Sequence, residues 1–409
     1  MVDELRTVTD TETQSEFDSY TAFLLDQQFV TVVSVAVIGM LALSAISPVL
    51  PAISSQFVVS SARVGLVMTA FTVPIIVAAP VAGILADVYG RRPVIIPSLF
   101  VFGGAGVTIM AAPSFAAILA LRVVQGAAFA GLMPLTVTIL GDLYSGTAGS
   151  AAQGLRVSAN GIADTIAPAL IGLLVGVGWN YPFALYGLAF PTAVVVYIVL
   201  PETGRTAGED FDLLPKLRSY ARSIWTEVDD RESRILLFGG FVRDFVRLAL
   251  ITFVPLFAVR ALEATAFQAG VAIGMLGVSR VVVAPLAGSV VRRCSQRTAL
   301  AVAFAVCAVG TLPIALSPSI PVLWVLVGIF GVGDSLLSPV LKSAVTELTV
   351  SEYRAGVITG LRLLKSLGQS LAPIFFGIVL AGFGFTAVFV LAALIAASYV
   401  GILLVAIKF

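Results

Sequence analysis

The sequence predicts an all-α integral membrane protein with twelve spanning helices, arranged as two six-helix bundles related by a parallel pseudo-two-fold axis. Of its 409 residues, 59% are hydrophobic and 11% are charged, whereas a soluble domain carries about 25% charged residues. Cutting the chain at charged or Gly/Pro-rich breaks leaves twelve apolar pieces of about 20 residues, the length that a spanning helix needs. The second six pieces also resemble the first six in sequence.

The predicted helices divide the chain into four regions. Residues 1–28 form a tail in which seven acids stand against Arg6 alone, and this tail lacks the basic start and apolar core of a signal peptide. Residues 29–200 hold the first six helices, 201–234 form a linker, and 235–409 hold the second six. The predicted spans are 29–53, 64–86, 94–111, 114–140, 154–176, 181–200, 235–258, 266–291, 298–316, 320–342, 355–380 and 383–407.

Basic residues predict the orientation, because Lys and Arg accumulate in cytoplasmic loops. The loops that we assign to the inside carry twelve of these residues, while those assigned to the outside carry only Arg63 and Arg260. We therefore expect a multi-pass protein of the cell membrane with both termini, the acidic tail and the linker in the cytoplasm.

The two halves of the chain match each other at a nearly constant offset. Ala79-Pro80-Val81-Ala82-Gly83 corresponds to Ala284-Pro285-Leu286-Ala287-Gly288, which lies 205 positions later. Gly154-Leu155-Arg156 corresponds to Gly360-Leu361-Arg362 after a slip of one residue. Parallel repeats of this kind are typical of secondary transporters, whose substrate site lies between the halves near the middle of the bilayer.

Three motifs in the first half carry a family resemblance. They are Gly83, Asp87, Gly90, Arg91 and Arg92 after the second helix; Arg122, Gln125 and Gly126 in the fourth; and Pro48-Val49-Leu50-Pro51 at the end of the first. The chain therefore resembles the major facilitator superfamily, in particular its drug/proton antiporter branch, over essentially all of its length beyond the tail. In the branch's helix-five motif, around Pro168, Ala167 stands where glycine is expected.

The resemblance implies a conformational latch at the loop between helices two and three. Its residues would be Gly83, Asp87, Gly90, Arg91, Arg92 and Asp142. In the superfamily the acid of this loop lies near the start of helix eleven, here near Ala355, and its base lies near an acid at the end of helix four, here Asp142. The resemblance also implies a role for Arg122 in proton coupling. Because the first helix has no mid-membrane acid, we expect Asp164 to be the partner of Arg122.

Ionisable side chains inside the predicted spans are costly, so each is a candidate functional group. Apart from Lys342, which we expect to reach the interface from a cytoplasmic helix end, they are Arg122, Arg156, Asp164, Arg243, Asp244, Arg247, Arg280, Asp334, Arg362 and Lys365. Asp164 and Asp334 lie near mid-depth in the fifth and tenth spans. Together with Asp244 they are the candidate proton carriers, and a structural ion pair is the alternative for each acid.

Apart from Lys342 at a cytoplasmic helix end, the predicted spans of the second half carry five bases against two acids. Arg243 and Arg247 share one face of the seventh helix, because residues four apart lie on the same side of a helix. A guanidinium group binds carboxylate or phosphate through two hydrogen bonds. The candidate ligands of an anionic substrate are therefore Arg243, Arg247, Arg280 and Arg362. The alternative is that Arg362 and Lys365 are solvated and that Arg280 pairs with an aspartate.

Composition and motifs exclude several classes of protein. The chain has no histidine and only two cysteines, which excludes a Cys/His zinc site. It has no glycine loop followed by lysine and a hydroxyl residue, the pattern that binds nucleotide phosphates. We expect no enzyme activity, no metal, no cofactor and no nucleic-acid partner, and we expect a monomer in the bilayer.

The sequence therefore predicts a proton-coupled secondary active transporter that exports an amphipathic organic solute or drug by alternating access. Its partners would be the small-molecule substrate, protons and the lipid bilayer. Two alternatives remain open: a carrier of organic anions that uses the basic residues of the second half, and a membrane receptor or scaffold with the same fold that transports nothing.

Overall fold

The structure is a computed structural model that describes residues 23, 25–43, 45–204, 231–348 and 354–406. Within these ranges all regular secondary structure is helical. Helices suit apolar spans because their backbone polar groups bond to one another and leave none exposed to hydrocarbon. Most of the acidic tail and most of the predicted linker lie outside the described residues, and the predicted domain boundaries stay predictions.

The helices follow one another along the chain with short connections. In the first half they are α1 (Gln27–Met40), α2 (Leu50–Gln56), α3 (Ser61–Val64), α4 (Leu66–Tyr89), α5 (Arg92–Thr108), α6 (Phe115–Phe129), α7 (Met133–Leu143), α8 (Gly146–Val177) and α9 (Ala189–Val199). In the second half they are α10 (Arg231–Ala261), α11 (Ala266–Val283), α12 (Ala287–Arg293), α13 (Gln296–Thr311), α14 (Ile320–Leu348) and α15 (Arg354–Ala406). Short 3-10 turns lie at Ser47–Val49, Ile109–Ala111, Tyr181–Leu188, Ala284–Leu286 and Ile314–Leu316.

Nine helical segments of the described chain are long and apolar enough to cross a membrane. One of them, Gly360–Val405, contains Gly384 with φ 77° and ψ −179°, a conformation that breaks the helix in two and that glycine adopts without strain. Gln27–Met40 is apolar but shorter, and α10 is long but carries several charges. The all-helical membrane fold is thus confirmed, while the number of twelve spans stays a prediction.

The first predicted span, 29–53, is not one continuous helix. It stops at Met40 and resumes as an α-helix at Leu50. Pro48 lacks the backbone N–H that would bond to a carbonyl one turn earlier, and the described residues between the two helices lie in turns and a 3-10 helix. The fourth predicted span is likewise divided into α6 and α7. The continuous helices expected for these two spans are therefore wrong.

The last described residues of the acidic tail fix the start of α1. Asp26 Oδ1 accepts a hydrogen bond from the Gln28 amide at 2.8 Å, which caps the helix N-terminus. Its other oxygen accepts the hydroxyl proton of Tyr144 at 2.5 Å. Burial, and then this hydrogen bond, raises the pKa of Tyr144 above its ordinary value. The start of α1 is thereby attached to the end of α7.

The two halves pack most closely where α8 meets α11. Small residues let two backbones approach each other, and here glycines of α11 face the backbone of α8. A Cβ added at Gly270 would lie 2.7 Å from the carbonyl carbon of Pro168. At Gly277, an added Cβ would lie 2.6 Å from the carbonyl carbon of Asp164. This seam therefore depends on the absence of side chains at these positions.

Further contacts between the halves lie at one end of the molecule. The Thr69 hydroxyl donates to the Ser370 carbonyl at 3.2 Å, and the Ser47 hydroxyl donates to the Ile251 carbonyl. We call this end the sealed end, and we call the opposite end, where α4 leads to Arg91 and Arg92, the basic end.

At the basic end the described helices α7 and α12 pack on elements of their own halves. Gly83, Gly141 and Gly154 have no heavy atom of the described chain within 4 Å of an added Cβ, apart from nearby atoms of their own helices. Among the described residues, the two halves are therefore in closer contact at the sealed end than at the basic end.

The seam gives a prediction that compares one substitution at two sites. Gly270→Ala introduces a methyl group into a backbone contact, so we expect it to lower the free energy of unfolding by about 1–3 kcal/mol. Gly401→Ala has open space around the added Cβ and should raise it by up to about 1 kcal/mol through helix propensity. Thermal unfolding in detergent measures both, and equal stabilisation by the two substitutions would show that the seam is not close-packed.

Candidate functional site

Two arginines of α10 hold one carboxylate of α14. Arg243 and Arg247 are one helical turn apart, so both reach the same neighbour. Arg243 Nη2 lies 2.8 Å from Asp334 Oδ1, and Arg247 Nε lies 3.2 Å from Asp334 Oδ2. The side chain of Asp334 is 3% exposed. A buried carboxylate of this kind requires nearby cations, because desolvation of its charge is expensive.

A second carboxylate links α10 to α15. Asp244 Oδ2 lies 3.4 Å from Arg243 Nη1 and 3.7 Å from Lys365 Nζ. The Gln369 amide donates to Asp244 Oδ1 at 3.0 Å. Lys365 and Gln369 are also one turn apart, so α15 presents both to the same acid.

These five charged residues form what we call the cationic cluster. Its members are Arg243, Asp244, Arg247, Asp334 and Lys365. Three cations and two anions leave one positive charge uncompensated. Counting in the sequence gave an excess of three, but Arg362 is exposed and Arg280 faces an acid of the first half. The excess expected from the sequence is therefore too large.

One ion pair joins the two halves. Arg280 Nη1 of α11 bonds to Asp164 Oδ2 of α8, at the place where Gly277 lets the two helices touch. Asp164 is 3% exposed and Arg280 is 19% exposed. Arg247 also interacts electrostatically with both members of the pair. The pair therefore lies beside the cationic cluster, and the expected pairing of Asp164 with Arg122 is wrong.

Two acceptor oxygens in α8 remain without a hydrogen-bond donor. They are Asp164 Oδ1 and Asn160 Oδ1, which are one turn apart and buried. Buried polar atoms are normally paired, so each exception requires an explanation. The sequence reasoning missed Asn160, as it missed Gln369, because it considered charged side chains only. An amide within an apolar span is the signal that could have found them.

Arg122 lies in the interior of the first half, away from the ion pair. Its Nη2 donates to the Ala42 carbonyl at 2.7 Å, its Nε to the Val67 carbonyl at 3.3 Å, and its Nη1 to Gln125 Oε1 at 2.8 Å. Its guanidinium carbon lies 4.4 Å from the centre of the Phe71 ring. The acceptors of this arginine are thus carbonyl and amide oxygens, and the Tyr186 hydroxyl also contacts its guanidinium group.

The loop at the basic end is organised around Arg91. This side chain forms ion pairs with Asp87 near the end of α4 and with Asp142 of α7, the latter at 3.3 Å. Burial lowers the pKa of Arg91, but hydrogen bonds to the two carboxylates and their charges raise it above its ordinary value. Gly90, with φ 100°, makes the turn between α4 and α5, and glycine adopts that conformation without strain.

The remaining latch candidates lie close to this loop. Arg92 donates to the Tyr197 carbonyl and lies over its ring at 5.2 Å, while its backbone amide donates to Glu202 at 3.3 Å. Gly83 lies on α4 in open space. Residues 349–353 lie outside the described chain, so the expected position of Asp87 beside the helix start near Ala355 stays a prediction.

Metal ligands are sparse in the part of the chain that the structure describes. There, no group of three or more His, Cys, Asp or Glu side chains could hold a metal ion. The buried charged side chains of the described residues are arginines and aspartates.

A family model for the Major Facilitator Superfamily matches residues 32–279 and 236–408. The chain belongs to this superfamily. The match covers nearly the whole chain and overlaps itself between the halves, as expected for a duplicated sequence. Membership agrees with the helical fold described above and places the chain among multi-pass membrane transporters and not among enzymes.

Relatives of this superfamily protein include named exporters of Bacillus subtilis (strain 168). The chain is 34% identical over 157 residues to a bacillibactin exporter, covering 37% of this chain and 39% of the relative. It is 24% identical over 357 residues to the multidrug transporter protein MdtP, covering 74% of this chain and 65% of the relative. The matches thus span less than two thirds of either relative, and they support the drug-antiporter-like branch.

A solved structure supports the fold. The human organic anion transporter MFSD10 matches with a TM-score of 0.68 and 20% identity, over 92% of this chain and 99% of that chain. At this identity the likeness concerns the fold alone.

The superfamily motif in helix α6 has a clear packing role in this protein. An added Cβ at Gly126 would lie 2.8 Å from the Phe71 carbonyl carbon, so glycine lets α6 approach α4. Gln125 Nε2 donates to the Phe102 carbonyl at 3.4 Å while its oxygen accepts from Arg122. The motif therefore joins α6 to α4 and α5.

Proposed function

We propose that this superfamily member is a proton-coupled exporter of amphipathic organic molecules and that Asp164 is its coupling acid. One observation carries the proposal: a buried carboxylate of one half is paired with an arginine of the other half. Rocking of the two halves must change the surroundings of such a pair. Protonation of the acid and movement of the halves are then linked, as alternating access against a proton gradient requires.

The charged neighbours of Asp164 connect it to the cationic cluster. It faces Arg280 directly and Arg247 at longer range. Through Arg247 it is connected to Asp334, and from there through Arg243 to Asp244. A proton on Asp164 would remove the attraction to Arg280 and loosen the contact between α8 and α11. The described state, in closer contact at the sealed end and with the pair formed, fits the step that follows proton release into the cytoplasm.

The cationic cluster has a supporting part in the proposal. Asp334 and Asp244 are each held by two cations, within a single half of the molecule. Movement of one half against the other leaves these contacts intact. Asp164 is therefore a better coupling acid than either, because its cation belongs to the other half.

The unpartnered oxygens of α8 favour a substrate that donates hydrogen bonds. Asp164 Oδ1 and Asn160 Oδ1 point to a donor that the described chain does not supply. A protonated amine would bind the two acceptors, while its apolar part would contact the surrounding spans. Amphipathic amines are therefore the substrates that this part of the site fits best.

The coupling acid is tested by Asp164→Asn, with Asp334→Asn as the matched comparison. In proteoliposomes, we expect Asp164→Asn to lose the flux driven by a proton gradient while it retains exchange of labelled for unlabelled substrate, because asparagine keeps an acceptor oxygen for the substrate but cannot gain or lose a proton. Asp334→Asn should weaken both, since it leaves two arginines without their partner. If Asp164→Asn kept gradient-driven flux and Asp334→Asn lost it selectively, the coupling acid would lie in the cationic cluster.

A second candidate function is transport of an organic anion, favoured by the uncompensated positive charge of the cationic cluster. Arg280 and Arg247 are partly exposed beside Asp164, so a carboxylate could bind them when Asp164 is protonated. Charge complementarity distinguishes the two candidates, because the preferred ligand must change sign.

A competition assay decides between amine and anion. We expect dodecylamine to displace a bound fluorescent amphiphile more strongly than dodecyl trimethylammonium, which lacks N–H donors, and more strongly than dodecanoate. Asn160→Leu should remove the preference for the primary amine, because one acceptor is lost. Strongest displacement by dodecanoate, weakened in Arg280→Gln, would instead establish the anion carrier.

We also propose that the loop at the basic end is a conformational latch without contact to substrate. Its acids and bases are Asp87, Arg91, Arg92 and Asp142, and Gly83 and Gly90 give it room to turn. The ion pairs described for Arg91 lie within the first half. When the basic end closes, we expect Asp87 to meet the start of α15, where a positive helix terminus favours a carboxylate.

The latch is tested by Asp142→Asn. Because the pair with Arg91 is partly exposed and contributes about 0.2–1 kcal/mol, we expect the ratio of the two end states to change by up to about fivefold. Spin labels at Ala148 and Arg293, on the two halves of the basic end, report this ratio as a distance distribution. Glu263→Gln, an exposed acid at the sealed end, is the control, and a shift as large in the control would contradict the latch.

A further inference from the structure

We propose that Arg122 is a positioning residue for the interrupted first span: it holds the break between α1 and α2 and thereby the sealed end. The resemblance to drug/proton antiporters implied a coupling role for this arginine. The described contacts instead connect it to the backbone of the first span, and this inference does not depend on the proposed function.

The break leaves carbonyl groups without helical partners, as the last carbonyls of any helix are. The structure supplies donors from two other helical segments. Arg122 of α6 donates to the Ala42 carbonyl at 2.7 Å. Tyr186, in the turn before α9, donates to the Leu41 carbonyl at 3.0 Å. Two consecutive carbonyls at the end of α1 are therefore satisfied by side chains that are themselves fully buried.

The charge of Arg122 is stabilised by groups other than a carboxylate among the described residues. The C-terminal end of a helix carries the negative end of its dipole, which favours a cation. Arg122 lies at the C-terminal end of α1 and also donates to the Val67 carbonyl. The Phe71 ring contributes the negative face of its π system. Carbonyl dipoles and an aromatic ring thus take the place of a carboxylate.

The break connects Arg122 to the contact between the halves. Beyond it, the Ser47 hydroxyl donates to the Ile251 carbonyl, and Ser54 accepts from Arg260 Nη2 at 2.5 Å. Both serines belong to the part of the first span that reaches the sealed end. The direction of that part relative to α1 is set at the break, so a donor that fixes the break also fixes where these serines meet α10.

The experiment measures the sealed end directly. Spin labels at Val58 and Leu316, which are 92% and 75% exposed, report the distance between the halves in a chain whose Cys294 and Cys307 are replaced by alanine. We expect Arg122→Lys to broaden the distance distribution, because a lysine cannot reach all three acceptors. Tyr186→Phe should broaden it less, since it removes one hydrogen bond while keeping the ring.

A matched control is Thr72→Val, which also removes a buried hydroxyl but one that donates to Met68 and Thr69 of its own helix. Its distribution should equal that of the parent chain. We expect the broadening in Arg122→Lys to be the same at about pH 6 and about pH 8, because the titratable group that contacts Arg122 is the phenol of Tyr186, and a phenol has an ordinary pKa of about 10.

An unchanged distribution in Arg122→Lys, or a broadening that differs between the two pH values, would overturn the proposal. Where Arg122→Lys does not yield folded protein, Tyr186→Phe alone decides: broadening supports the proposal, and a distribution equal to that of Thr72→Val overturns it. The distance readout needs no transport, so a chain without proton-driven flux would contradict the proposed function and leave this test intact.

Discussion

An ion inside a bilayer needs a compensating charge or a set of dipoles nearby, because hydrocarbon does not solvate a charged group. This constraint explains the arrangement of the buried charges in this superfamily protein. Asp334 lies between two arginines, Asp244 between an arginine and a lysine, and Asp164 lies against an arginine of the opposite half. Arg122 uses carbonyl dipoles and a ring instead. Each solution fixes one helix against another.

Ion pairs within one half and the ion pair between the halves respond differently to movement of the halves. Pairs within the second half hold α10, α14 and α15 together and survive a rocking movement. The pair between α8 and α11 crosses the surface at which the halves must move. A transporter needs both kinds, since each half must stay rigid while the contact between them changes. Gly270 and Gly277 make the pair between the halves possible, because they bring the two backbones close enough for the ion pair to form.

Local signals in the sequence predicted much of this arrangement. The apolar length of the spans, the repeat and the basic loops predicted an all-helical membrane fold, and the motif after the second span predicted a contact between Arg91 and Asp142. The charged residues inside the spans were all found, because a charge in an apolar segment is visible in any single sequence. Asn160 and Gln369 were missed, since neutral amides stand out less in such segments.

What the sequence by itself determined is thus the helical membrane fold, the family and the list of charges within the spans, because length, composition and motif are properties of consecutive residues. The tertiary structure alone decided the partners. Asp164 was expected beside Arg122, yet it meets Arg280, which is 116 positions away in the chain. Helix rotation and the closeness of two backbones set such a pairing, and neither can be read from the spacing of residues along one chain. The tertiary structure also decided where the first span is interrupted and that Arg122 donates to the backbone at this interruption.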